Sequence, residues 1–374
     1  MRLPVTLALL LALPADEEGD PALHGSEEVS RLARAHRMAE RALQWLSPRI
    51  QPDGSVMMTP SSHQPKLAAA ALTALAFMAN GHTADDSEDG QGARVRAIVG
   101  WLMTQAAVDE CVCAGVKGAH PRARFADAAF TTSDMHGQGY VTWALAMAYG
   151  MSLGAANVDQ RAELARVTQA AVHCIELAQH HSGGWWYHFK PETEGHEGSV
   201  TVTVLEALRS AKEAGLRVDV GVIDRAVDYL RRSQVDNPAD PKYGAFRYRL
   251  GDSTTSFALT AAAVSSLNQT GDYDSRHVDL GIAFMRQKDP LTHASLEAER
   301  WPWYGRFYAT QAYWQYRDLR HFRAWYRELL KVAEAEQDLR DGRFTDHEFG
   351  DVYATAMGAL TLGVPFGYLP SFQR

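Results

Sequence analysis

Apolar positions along this chain of 374 residues gather into two kinds of helical stretch, and the two kinds alternate. The first kind is apolar or small on every face: residues 66–79, 138–149, 199–214, 255–270, 307–317 and 352–362. The first four run into a glycine, the usual helix stop. A helix with no polar face is a buried helix. The second kind is amphipathic and charged, over residues 27–46, 93–107, 160–179, 220–234, 275–287 and 320–337. Six buried helices alternating with six amphipathic ones predict an all-α fold, an (α/α)6 toroid of six helical hairpins with the buried set inside. No stretch of strand period exceeds a few residues. No linker divides residues 27–374, which read as a single domain, and residues 83–92 read as a surface loop.

A repeated phrase supports the ring. An apolar or aromatic pair is followed by Gln, then Gly, then an aromatic: Cys174-Ile175 with Gln179, Gly183 and Trp185, and Tyr229-Leu230 with Gln234, Gly244 and Phe246. Trp45-Leu46 leads to Gln51 and Gly54 with Val56 in the aromatic slot, and Gln337, Gly342 and Phe344 repeat the second half. Gly184, Gly244 and Gly305 are 60 and 61 residues apart. Self-similarity at such a period marks a repeat architecture. Glycine permits positive φ at a tight joint, and a Gln amide can satisfy the free backbone groups of a helix end. The phrase therefore predicts staples between neighbouring hairpins.

The phrase resembles the QW repeat of squalene-hopene and oxidosqualene cyclases. The alternating helices look like the toroid superfamily that also holds prenyltransferase β-subunits and complement-type thioester domains. Segments 135–140, Gly183-Gly184-Trp185-Trp186-Tyr187 and 307–311 look closest to exported bacterial prenyltransferase and squalene oxidase repeat proteins. The resemblance implies a central cavity for an isoprenoid or other apolar molecule. The catalytic signatures of those relatives are missing. Asp85-Asp86 with Glu88-Asp89 lacks the spacing of the cyclase acid motif. Asp109-Glu110-Cys111 has the zinc-site spelling but lies too early, and Val352-Tyr353-Ala354-Thr355 has no His. Cys111, Cys113 and Cys174 are followed by Val112, Ala114 and Ile175, which rules out the thioester motif. No metal and no cofactor is expected.

Charge and composition narrow the partners. A net charge of -8 and a pI near 6.0 leave no basic footprint for nucleic acid. No apolar run reaches the length of a membrane span, so only peripheral membrane contact stays open. Arg2, an apolar run over residues 3–13, Ala15 and then Asp16-Glu17-Glu18 have the layout of a secretory signal. Residues 1–15 thus read as a signal peptide, 16–26 as a flexible N-terminus, and the protein as exported, periplasmic or extracellular.

In a toroid the loops before the inner helices rim the cavity, where ligand sites belong. Asp134, His136, Glu197, Asp252 and Asp351 stand there as candidate acid–base groups, although Asp before a helix is also a favoured cap. Trp143, Trp185, Trp186, His188, Phe257, Trp303, Tyr304, Tyr308 and Tyr353 are candidate ligand walls. Three functions remain open: a cavity protein for an apolar small molecule, a non-catalytic scaffold for another protein, and a carbohydrate-active enzyme on an (α/α)6 barrel. The last calls for paired carboxylates.

Overall fold

Small residues let the inner helices approach one another closely. Ala68, Ala69, Ala70 and Ala71 on one, and Ala261, Ala262 and Ala263 on another, are buried or nearly so. A computed structural model describes residues 21–63, 65–85, 90–109, 121–127, 133–152, 158–189, 195–291 and 301–373. Within them lie twelve α-helices: α1 (Pro21–Leu46), α2 (Lys66–Ala79), α3 (Gln91–Thr104), α4 (Asp134–Met151), α5 (Val158–Leu177), α6 (Gly198–Glu213), α7 (Val220–Ser233), α8 (Phe257–Gln269), α9 (Arg276–Gln287), α10 (Pro302–Gln315), α11 (Leu319–Glu336) and α12 (Asp351–Gly363). The even-numbered helices touch in the order α2, α4, α6, α8, α10, α12 and back to α2. The odd-numbered helices lie outside them, so the chain is an (α/α)6 toroid.

Local chemistry sets the helix starts. Ser133, Glu197 and Ser256 cap inner helices α4, α6 and α8, each side chain accepting from the backbone N–H three residues on. Helix α1 starts at Pro21, earlier than its charge pattern suggests. A short antiparallel pair, β1 (Ala107–Asp109) with β2 (Arg122–Arg124), joins α3 to α4 and escaped the periodicity reading because each strand is three residues long.

The repeated phrase forms the joints between hairpins. Gln179 Nε2 donates to Gly183 O and to Val222 O on α7, both at 2.9 Å. Gln234 Nε2 does the same to Gly244 O and His277 O on α9 at 3.1 and 2.9 Å. Each staple therefore ties one outer helix to the next. The glycines are required twice over. Gly183 has φ +96°, and a Cβ there would stand 2.2 Å from Arg225 O on α7. The joint aromatics are fixed by a threonine of the following inner helix: Trp185 N–H bonds Thr201 Oγ1, and Phe246 N–H bonds Thr260 Oγ1, both at 3.1 Å. Gly305 is not a joint glycine, since it lies inside α10.

The same device closes the ring. Gln337 Nε2 reaches Gly342 O at 2.8 Å and Met38 O on α1 at 2.9 Å. Beyond α12 the chain turns inward. Trp314 Nε1 and Gln315 Nε2 at the end of α10 donate to Phe372 O and Ser371 O, at 2.8 and 3.0 Å. The Phe372 ring packs 6.5 Å from Trp143 and 6.2 Å from Phe307 and is fully buried. The tail thus plugs the bore from the C-terminal ends of the inner helices, opposite the N-terminal mouth.

Candidate functional site

At that mouth lies a cleft of about 240 Å³. Five inner helices and the residues leading into them supply Pro65 and Ala68, Ser133, His136 and Tyr140, Ser199, Trp301 and Tyr304, and Phe349 and Tyr353. The joints preceding α6 and α8 add Tyr187 and Tyr248. The walls are mostly aromatic carbon, with hydroxyl and imidazole groups set among it. Spacing explains part of this: His136 and Tyr140 lie four residues apart on α4 and share a helical face, while the Phe349 ring, in the turn before α12, packs 5.1 Å from that of Tyr353.

His136 is the imidazole of the cleft. Its Nδ1 meets Ser133 Oγ at 2.7 Å, and its Nε2 meets Ser199 Oγ at 3.3 Å. Ser199 Oγ in turn donates to Glu197 Oε2 at 2.6 Å. Burial lowers the His136 pKa to about 4, against an opposing hydrogen bond with the Ser199 backbone, so the ring is neutral at pH 7. Glu197 is 1% exposed, and burial holds its carboxyl above the usual range despite the hydrogen bonds from Ser199 and Val200. Its Oε1 has no hydrogen-bonding partner. Tyr187 and Tyr140 are both raised to about 12, chiefly by burial, and act as neutral phenols.

Beneath the cleft the axis stays polar. The rings of Tyr304 and Tyr308 pack at a tilt of 58° with centroids 4.6 Å apart. On α6, Ser199, Thr203, Glu206 and Ser210 form one stripe. Glu206 is 1% exposed, and neither of its oxygens has a partner in good hydrogen-bonding geometry. Burial raises its pKa to about 8, with the Gln269 amide opposing.

The candidate residues from the sequence are spread over several places. His136, Tyr304 and Tyr353 line the cleft. Tyr308 and Trp143 lie deeper and are essentially inaccessible. Glu197 stands behind Ser199. Asp134 is at the rim, bonded by Arg124 Nη2 at 3.0 Å with His188 Nδ1 at 3.5 Å. Trp186 is nearby, with Arg249 lying 4.5 Å over its ring. Asp351 faces Arg343 Nε at 3.7 Å. Asp252 is half-buried and accepts from Ser253 N and Thr254 N at 2.6 and 3.2 Å; those backbone bonds hold its pKa low. Trp185 Nε1 donates to Ile175 O, and Trp303 Nε1 to Thr345 O, at 2.8 and 3.2 Å; both serve the joints. Phe257 stacks on Trp325 of the outer ring. Tyr140 and Tyr187 lie in segments the sequence singled out without being read as site residues, and helical spacing from His136 points to Tyr140; Ser133, Ser199, Tyr248 and Phe349 carry no conspicuous motif. Among the described residues no group of three or more His, Cys, Asp or Glu is placed to hold a metal ion. Glu88, Asp89, Cys111 and Cys113, and the whole signal-like segment, lie outside the described residues.

Solved structures share this architecture. A GH76 α-mannanase of Bacteroides thetaiotaomicron is similar over 89% of this chain and 96% of its own, with a TM-score of 0.57 and 11% identity. An inactive variant of a Salegentibacter α-1,6-mannanase, in complex with α-1,6-mannotriose, gives 0.57 and 10% over 89% and 99%. A D-mannose isomerase gives 0.56 and 12% over 88% and 97%. The common ground is the (α/α)6 barrel. No protein-family model matches the chain, and no curated relative matches it by sequence. The resemblance to squalene cyclases and prenyltransferases is accordingly corrected: the matching barrels are mannanases and sugar isomerases or epimerases. The Gln–Gly–aromatic phrase marks hairpin joints of this barrel and is not a cyclase QW motif. The isoprenoid expectation loses its basis with that resemblance. No described helix is long and apolar enough to cross a membrane.

Proposed function

We propose that this protein is a carbohydrate-active barrel whose mouth cleft takes one ring of a neutral sugar. The observation that carries the reading is the cleft itself, a blind recess walled by tyrosine and tryptophan rings with Ser133, His136 and Ser199 among them. Aromatic faces suit the C–H faces of a pyranose, and hydroxyl and imidazole groups suit its oxygens. A cleft of about 240 Å³ has room for a sugar ring. The similarity to mannanase and sugar isomerase barrels supports the same class. Glycosidases use two carboxylates flanking the scissile bond. The described lining holds no carboxylate, so binding a free sugar against His136 fits it better than cleavage of a glycosidic bond. Export remains part of the proposal, and N-terminal sequencing of the native protein should begin near Asp16.

Thermal melts with mannose, glucose, fructose and N-acetylglucosamine, each in large excess, test the reading. One of them should raise Tm by a few degrees, and Tyr304→Ala should abolish the rise. Shifts from prenyl alcohols with none from sugars would reject the proposal and restore the apolar ligand.

A further inference from the structure

Counting protons around His136 fixes more than its position. Glu197 Oε2 receives two donors, Ser199 Oγ–H at 2.6 Å and Val200 N–H at 3.0 Å. That oxygen is therefore an acceptor whether or not the carboxyl carries a proton on Oε1. Ser199 has a single hydroxyl proton, and the short bond to Glu197 uses it. Only lone pairs of Ser199 are left to face His136 Nε2 at 3.3 Å, so Nε2 must bring the hydrogen. On the other edge of the ring Nδ1 then accepts from Ser133 Oγ at 2.7 Å, while that oxygen takes the His136 N–H at 3.4 Å as a helix cap. With Glu197 ionised, or protonated on Oε1, these contacts select the Nε2–H tautomer.

We propose that Glu197 and Ser199 are positioning residues that hold His136 as its Nε2–H tautomer, so that it meets a bound sugar as a neutral hydrogen-bond donor. This rests on the cleft being the sugar site. The Nε2–Ser199 bond is the loosest link in the chain, and both groups line the cleft. A ligand oxygen can displace Ser199 and take over the N–H. The ligand atom at this point must be an acceptor, such as the carbonyl oxygen of an open-chain sugar, and a ligand ammonium has nothing to bind there. A neutral imidazole in this role polarises a carbonyl without protonating it outright. Glu197 touches no ligand and acts only through Ser199.

Imidazole 15N NMR of ligand-free, labelled protein at pH 7.5 reads the tautomer directly. The wild type should show a protonated Nε2 and a bare Nδ1 for His136; the opposite pattern overturns the proposal. E197Q keeps an oxygen acceptor for Ser199 and should preserve the Nε2–H form. E197S keeps the helix cap but is too short to accept from Ser199. The freed hydroxyl can then donate to Nε2, and a large share of His136 should move to Nδ1–H. An unchanged tautomer in folded E197S would overturn the role of Glu197. Should E197S not fold, S199A replaces it, with faster solvent exchange of Nε2–H expected and an unaltered rate counting against the relay. None of these readings needs a sugar, so they stand apart from the sugar proposal. A sugar that perturbs the Tyr304 ring yet leaves His136 Nε2–H unmoved would overturn the donor role.

Discussion

Two buried titratable residues on the barrel axis pull stability in opposite directions along the pH scale. His136 is held neutral, its pKa lowered from 6.5 to about 4. A lowered pKa means that its contribution is complete above pH 6.5 and is lost as pH falls toward 4. Glu206 is raised from 4.5 to about 8, so its contribution is complete below pH 4.5 and is lost as pH rises toward 8. Replacing Glu206 with Gln removes the second loss. Urea unfolding should show Glu206→Gln more stable than wild type by about 2 to 4 kcal/mol at pH 8, with most of the gain gone at pH 5. An equal gain at both values would show that ionisation is not the cause. Sequence alone flagged His136 and Glu197 as candidates, but it could not pair them. Ser133 is local to His136, whereas Ser199 comes from the neighbouring inner helix, and a one-dimensional pattern does not say which faces converge. Glu206 was invisible for a related reason: α6 shows its polar stripe to the axis, where a charge is unexpected.

Helices and joints were the most legible level, because period and punctuation act locally. The apolar pattern located α2 to its ends, and the glycine phrase located four joints. What the phrase could not convey is why its tryptophans are there. Trp185 and Trp303 are the most conspicuous aromatics in their segments, yet both spend their indole N–H on joint carbonyls. The tyrosines that line the cleft look ordinary by comparison. Two glycines allow the joint argument to be checked. Gly183 and Gly215 both have positive φ, +96° and +86°, but only Gly183 faces a backbone carbonyl, Arg225 O, at 2.2 Å from its would-be Cβ; Gly215 faces open space. Gly215→Ala should cost about 1 to 2 kcal/mol, the backbone penalty alone. Gly183→Ala should cost clearly more, since α7 must also move away. Equal costs in denaturant melts would dismiss the close approach as a constraint.

The whole molecule is a ring, and it closes at the seam where α11 meets α1. Gln337 staples that seam, with Arg41 Nη2 adding bonds to Asp338 O and Leu339 O at 3.0 and 2.9 Å. Gln337→Ala should cost about 1 to 3 kcal/mol, since it strands two carbonyls. Amide exchange should rise in α1 before any inner helix. A uniform rise across the ring would place the effect elsewhere. Strict alternation of helix types made the ring readable from sequence, whereas ligand class was not. The ring is specified by buried positions along all twelve helices, and the cleft by a dozen at the mouth. The seam also has a history in time. Met38 waits for Gln337, and Asn80 waits for Ala359, whose carbonyl its amide reaches at 3.2 Å. At the usual pace of translation the partners emerge roughly 15 to 60 s apart. Throughout that interval the apolar sides of α1 and α2 have no closing neighbour, and Phe372, made later still, has yet to fill the bore. A growing chain of this design is an open spiral that becomes a ring only once α11 and α12 have emerged, and until then it depends on whatever shields it.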